Sequence, residues 1–133
     1  MTWYNEWAAS LRYEEEELVR PDGVAILEQV GSEVEVGYFI EMDRGNTDWR
    51  KKATFYDRAY QRSGWRQVLR MTNYPVVLCV VPGALLAEVV QVMRQERPLT
   101  RFWLKTWEAF LAEGVLTGWL DPLREGGTNL FTG

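Results

Sequence analysis

Val24-Ala25-Ile26-Leu27-Glu28-Gln29-Val30, then Gly31-Ser32, then Glu33-Val34-Glu35-Val36-Gly37-Tyr38-Phe39-Ile40-Glu41-Met42-Asp43 is the stretch that decides the fold. The first run is rich in β-branched and aliphatic residues and reads as a strand. The second alternates, with Val34, Val36, Tyr38, Ile40 and Met42 on one face and Glu33, Glu35, Gly37, Phe39, Glu41 and Asp43 on the other. Two such runs around Gly31-Ser32 form a β-hairpin. A two-residue loop there pairs residues whose numbers sum to 63. Asp22 then faces Glu41, with Cβ atoms about 5 Å apart, and Asp43 points to the same face two residues on. Three carboxylates meet at the open end of one hairpin. Their mutual repulsion demands a proton, a cationic side chain or a metal ion. Oxygen donors alone suit Mg²⁺, Mn²⁺ or Ca²⁺ and not zinc.

The helix after the hairpin offers the cation. Arg44-Gly45-Asn46-Thr47 reads as a loop with an N-cap at Asn46 or Thr47, and a helix is expected from about Asp48 to Ser63, stopped by Gly64. On a wheel of about 100° per residue, Trp49, Ala53, Tyr56 and Tyr60 share one side, and Phe55 and Ala59 extend it. Lys52 falls inside that apolar arc, between Tyr56 and Ala59. An inward lysine needs a carboxylate partner or a shifted pKa, and the hairpin's carboxylates are the nearest. Each residue also has a plain structural reading. Asp22 suits a Pro-Asp-Gly turn, Glu41 and Asp43 suit a solvated strand end, and Lys52 can pack its stem while its ammonium reaches water. Arg44 is a candidate for binding a phosphate or for pairing with Asp43. Arg58, Arg62, Arg66 and Arg70, four apart, make a phosphate-facing stripe only if the helix runs past Gly64.

Outward from this centre, Trp3, Tyr4, Trp7, Ala8, Leu11 and Leu18 recur at helical spacing, so a helix is expected over 3–18, closed by Pro21. Its Trp3/Trp7 stripe must pack on something, a second subunit being one option, which makes a homodimer through that helix an expectation. Val76 to Val81 is apolar on both sides and reads as a central, parallel strand. Ala84 to Gln95 reads as a helix, Arg101 to Lys105 as a strand, Trp107 to Glu113 as a helix capped by Thr106, and Leu116 to Leu120 as a last strand. The tail from Arg124 is expected to be poorly ordered. The order α-β-β-α-β-α-β-α-β makes one α/β domain over 1–133, a mixed sheet flanked by helices.

Composition agrees. The 133 residues are 47% hydrophobic and 26% charged, ordinary for one globular domain. No apolar run approaches the roughly 18–20 residues of a membrane span, and the N-terminus lacks the pattern of a signal peptide. The single cysteine, Cys79, lies in the apolar run and reads as an inert core residue in a reducing compartment, the cytoplasm. There is no histidine, which excludes Ser-His-Asp, Cys-His and histidine-zinc chemistry. The net charge of −4 hides a segregation: −9 over residues 1–43, +6 over 44–70 and −1 over 71–133.

Pro21-Asp22 followed by Glu41-Met42-Asp43 at the end of the next strand resembles the core of the PD-(D/E)XK nuclease superfamily. The resemblance implies a restriction-endonuclease-like sheet whose Asp and Glu bind a divalent metal. A lysine two residues after the Glu usually helps position the attacking water. Asp43 stands there, and Lys52 fits the variant that carries the lysine on the following helix. A closer resemblance, over about residues 17–122, is to the replication-relaxation family of plasmids and mobile elements. It rests on the Pro21-Asp22 strand start, Tyr38 to Gly45, Lys52 and Tyr56 four apart, the strand Pro75 to Val81, and Phe102 to Thr106 with Gly118-Trp119-Leu120 downstream. The resemblance implies a metal-dependent DNA endonuclease or nickase, or a catalytically inactive DNA-processing or protein-interaction module of the same fold. Asp22, Glu41 and the Met42 backbone carbonyl would hold Mg²⁺ or Mn²⁺, Lys52 and Asp43 would complete the catalytic group, and Arg44, Tyr56 and Arg58 would contact DNA. An acid between Glu14 and Glu17, Glu17 foremost, would be an outer carboxylate. Family members carry a winged-helix DNA-binding domain ahead of this part, so DNA targeting is expected to come from a separate domain or partner.

Overall fold

In a computed structural model, the protein is described over residues 2–4, 11–13, 16–19, 21–28, 35–62, 74–124 and 127–128. The hairpin strands are β4 (Gly23–Glu28) and β5 (Glu35–Met42). They pair antiparallel from Gly23 opposite Ile40 to Glu28 opposite Glu35, the register in which partners sum to 63. The Gly31-Ser32 loop itself lies outside the described residues.

Beyond β5 the sheet becomes parallel. β5 is followed by α1 (Trp49–Gln61), β6 (Val76–Val81), a 3-10 turn (Gly83–Leu85), α2 (Leu86–Glu96) and β7 (Phe102–Thr106). β6 pairs parallel with both β5 and β7, and all six of its residues are buried. Its two-sided hydrophobicity therefore marks the centre of the sheet, as the sequence indicates. Strands laid side by side in chain order and joined by right-handed crossovers put both connecting helices on one face. Accordingly Trp49, Ala53, Tyr56 and Ala59 of α1 and Val89 and Met93 of α2 share one core with Phe39, Val77, Cys79, Phe102 and Leu104. The opposite face, with Tyr38, Ile40, Leu78, Val80 and Trp103, packs against Trp107 and Phe110 of α3 (Trp107–Glu113). Thr106 caps α3 by accepting from the Ala109 amide at 3.1 Å. The chain then adds β8 (Trp119–Leu120) and β9 (Gly127–Thr128), both antiparallel.

Three expectations are corrected. The helix over 3–18 is replaced by strands: β1 (Thr2–Tyr4) pairs antiparallel with β4, and β2 (Leu11–Tyr13) pairs with β3 (Glu16–Val19). Aromatic and branched residues favour strands, and the outer edge of β4 offers unpaired backbone groups that β1 satisfies. A dimer contact through a Trp3/Trp7 helix thus loses its helix: Trp3 lies in β1 opposite Ala25, and Trp7 falls outside the described residues. Second, α1 is capped by Asp48, which accepts from the Lys51 amide at 3.1 Å, and not by Asn46 or Thr47. It ends at Gln61, and Arg62 is already extended, so the four-spaced arginines do not continue on this helix. Arg66 and Arg70 lie outside the described residues. Third, the last strand starts at Trp119 and not at Leu116, because the preceding backbone bends around a buried lysine described below.

The order along the sheet is β1-β4-β5-β6-β7-β8-β9. The described residues form an α/β protein with a mixed sheet and three helices, and no described helix is long and apolar enough to cross a membrane.

Candidate functional site

The site lies where β5 ends and α1 begins. Phe39 and Glu41 point to the α1 side of the sheet, because alternate residues share a face. Glu41 is only 4% exposed. A carboxylate this buried needs partners, and it has two. The Tyr56 hydroxyl donates to Glu41 Oε1 at 2.5 Å. Lys52 Nζ lies 3.2 Å from Oε1 and 3.3 Å from Oε2. Lys52 and Tyr56 are four apart on α1, so both reach the same carboxylate from one side of the helix. Burial raises the Glu41 carboxyl above its ordinary value; the Lys52 charge and the Tyr56 hydrogen bond pull it down, and Asp22 pushes it up again. Burial and the neighbouring Glu41 hold the Tyr56 hydroxyl well above its usual range, so it is a hydrogen-bond donor throughout the physiological range.

Asp22 sits one residue before β4, exposed at the mouth. Its Oδ2 accepts from the Met42 amide at 2.7 Å. This bond extends the hairpin one step past its last ladder pair and keeps Asp22 beside Glu41. Two of the three expected carboxylates therefore meet, and the lysine meets them. The third is used otherwise. Asp43 is 2% exposed. Its Oδ1 accepts from the Gly45 amide at 2.7 Å and its Oδ2 from the Trp49 indole at 2.9 Å. Its backbone amide donates to the Val80 carbonyl at 2.8 Å, and its carbonyl accepts from the Trp107 indole, also at 2.8 Å. Asp43 is thus the fastener of the loop between β5 and α1, in which Gly45 takes φ 101°, a conformation that favours glycine. Arg44 is exposed and does not pair with Asp43, both of whose oxygens are occupied.

Two of the expected DNA contacts change character. Tyr56 is fully buried and touches Glu41 from below, so it positions that carboxylate instead of meeting a substrate. Arg58 is exposed in the last turn of α1, six residues and on the order of 9 Å along the axis from Lys52. Of the acids named for an outer carboxylate, Glu17 lies in β3, a strand that packs beside α1; Glu14 is outside the described residues. The Cys79 thiol is buried and pushed well above its ordinary value by that burial, as an inert core residue should be.

Among the described residues, no three Asp, Glu, Cys or His groups are arranged to hold a metal ion. The oxygen donors available at the mouth are Asp22, Glu41 and the Met42 carbonyl. Asp22 Oδ1 accepts no hydrogen bond, and Glu41 Oε2 accepts only the long contact from Lys52. The donor set fits a hard, oxygen-seeking cation held by two carboxylates.

Sequence reasoning missed two charged residues that hold the scaffold. Asp57 of α1 accepts from the Leu99 and Thr100 amides at 2.9 and 2.8 Å and from the Thr100 hydroxyl at 2.7 Å, pinning the turn before β7. Lys105, 2% exposed, donates to the Gly114 and Thr117 carbonyls at 2.8 and 2.6 Å and pairs with Glu113 at 3.0 Å. A lysine inside the apolar strand Phe102 to Thr106 was the available signal. Compared with protein-family models, curated proteins and solved structures, the chain matches none.

Proposed function

We propose that the protein is a metal-dependent phosphodiesterase-like domain acting on DNA, with Asp22, Glu41 and Lys52 as its site. The observation that carries this reading is the convergence of a hairpin-end aspartate, a buried glutamate and a helix-borne lysine on one point. This is the donor and cation set that phosphodiester hydrolysis needs. Asp22, Glu41 and the Met42 carbonyl would hold Mg²⁺ or Mn²⁺. Such an ion supplies charge neutralisation and an acidified water at the phosphorus. Tyr56 fixes the Glu41 carboxylate by its short hydrogen bond, so the donor needs no reorganisation. Lys52, a third exposed at its side chain, places a positive charge where negative charge develops on the phosphate. Arg44, exposed on the adjoining loop, is placed to meet the phosphate. The resemblance to replication-relaxation proteins supports a role in plasmid or mobile-element replication, in a restriction-endonuclease-like fold.

A second reading keeps the scaffold without the chemistry: a catalytically silent DNA-processing or protein-interaction module. It is favoured by the fact that Glu41 Oε1 already serves both Tyr56 and Lys52, while the position two after Glu41 holds a fully engaged Asp43.

Supercoiled plasmid incubated with Mn²⁺ and the wild-type chain is expected to convert to open circles or linear DNA. Glu41→Gln and Lys52→Met should each slow this at least 100-fold, the usual effect of removing one electrostatic or ligand group. Conversion at equal rates in wild type and variants rejects the site, and no conversion by wild type favours the silent module.

A further inference from the structure

The end of α2 and the turn after β8 enclose a shallow cavity of about 290 Å³ lined by Arg94, Arg97, Arg124, Pro122 and Leu123. Three of its five lining residues are arginines and none is acidic. The arginines come from two segments about thirty residues apart in sequence, so no single helix face explains their meeting. Each guanidinium has donors to spare. Arg94 spends its Nε on the Pro122 carbonyl at 3.0 Å, which fixes the side chain against the rim. Arg124 approaches Asp121 only at 3.8 Å through Nε, and Asp121 also accepts from the Leu123 amide at 3.0 Å behind the rim. Glu96, the nearest acid on α2, is paired with Arg50 at 3.3 Å.

Arg97 adds a second observation. It follows the last turn of α2 at φ 46° and ψ 58°, the left-handed conformation in which glycine is the usual helix-ending residue. Among the described residues it is the one non-glycine with positive φ. A long, branched guanidinium is held where a glycine would be less strained. Strain of this kind persists where the side chain has a use.

We propose that Arg94, Arg97 and Arg124 form a phosphate-binding groove for the backbone of DNA. Planar guanidinium forks match phosphate oxygens in pairs, and several such forks along a shallow, open groove suit successive phosphodiesters better than one enclosed anion. The groove is separate from the carboxylate site: β8 is three strands from β5, on the order of 14 Å across the sheet. The proposal rests on nucleic acid being the partner and not on the metal-binding role of Glu41.

The test uses the full chain and a fluorescently labelled duplex of about 20 base pairs, without divalent metal, in a salt titration from about 50 mM upward. Arg97→Gly is expected to keep or raise thermal stability, because it relieves the left-handed strain, while weakening binding. The double variant Arg97→Gly/Arg124→Gln should bind about tenfold more weakly, with a salt slope smaller by about 1.4–1.8, as expected for two lost phosphate contacts. Inorganic phosphate at millimolar concentration should compete poorly with the duplex; complete displacement by it would reassign the groove to a small anion and overturn the proposal. Unchanged affinity and slope in the double variant, or no duplex binding by wild type at about 50 mM salt, also overturns it. Mn²⁺ titration of the double variant should match wild type, and a loss there would attribute weaker DNA binding to general damage and count against the groove.

Discussion

Lys105→Met is expected to destabilise the protein by about 3 kcal/mol, lowering Tm by on the order of 10 °C. Lys105 lies on the α3 side of β7, nearly sealed from water, and all three of its ammonium hydrogens have acceptors: the carbonyls of Gly114 and Thr117 and the carboxylate of Glu113. The ammonium also sits 5.8 Å from the centre of the Trp119 ring. Methionine matches the stem and removes the charge. Two inward carbonyls then lack a donor, and each unpaired buried acceptor costs about 1–3 kcal/mol. The surroundings give little room for rearrangement: a Cβ on Gly118, at φ 79°, would meet Lys105 Nζ at 3.3 Å and Glu113 Oε2 at 2.6 Å. Urea unfolding of the two proteins measures the difference. A loss under about 1 kcal/mol would mean that water replaces the ammonium and that the segment from Gly114 to Thr117 is not held by it.

Lys52→Met should change the pH dependence of stability more than stability at any single pH. Burial raises the folded value of Glu41 above its ordinary 4.5, while Lys52 opposes that rise. For a group whose folded pKa is raised, the stabilising contribution is complete below the unfolded value and is lost as pH rises through the folded value. Removing Lys52 lifts the folded value further, so the loss runs to higher pH and is deeper at neutrality. The variant should resemble wild type near pH 4 and fall behind by on the order of 2 kcal/mol by pH 8. Adding Glu41→Gln should flatten the difference, because glutamine has no proton to lose. A gap between Lys52→Met and wild type that stays constant from about pH 4 to 8 would show that the ammonium does not compensate Glu41.

Much of the centre of the molecule is legible in the amino-acid sequence, for identifiable reasons. Period-two alternation and a two-residue loop set the register that opposes Asp22 and Glu41. The two-sided apolar run Val76 to Val81 marks the central strand, and the 3.6 period turns Lys52 inward towards Glu41. Where the reading fails, a local signal is overruled by a distant partner. Trp3, Tyr4, Leu11 and Leu18 have helical spacing, but β4 presents an open edge, and strand pairing wins. Asp43 was grouped with the metal ligands because it shares the Glu41 face. It is the indole of Trp49 and the amide of Gly45 that claim it, and neither can be foreseen from strand alternation. Tyr56 was placed correctly on the helix face but assigned to a substrate, since nothing in the sequence says that Glu41 lies directly above it. Lys105 and Asp57 went unread because their partners are backbone groups of later loops, which leave no pattern in side-chain periodicity.

The central claim is that Asp22 and Glu41 together hold a divalent cation beside Lys52. Calorimetric titration of the metal-free chain with Mn²⁺ tests it most directly. Glu41→Gln is a fair comparison because the amide oxygen can still accept from Tyr56 and Lys52, so the fold should persist. Wild type is predicted to bind one Mn²⁺ per chain, Asp22→Asn to bind it at least tenfold more weakly, and Glu41→Gln not to bind it. No heat of binding in wild type, or equal binding in all three, would contradict the account and leave the pair as a structural clasp between β5 and α1.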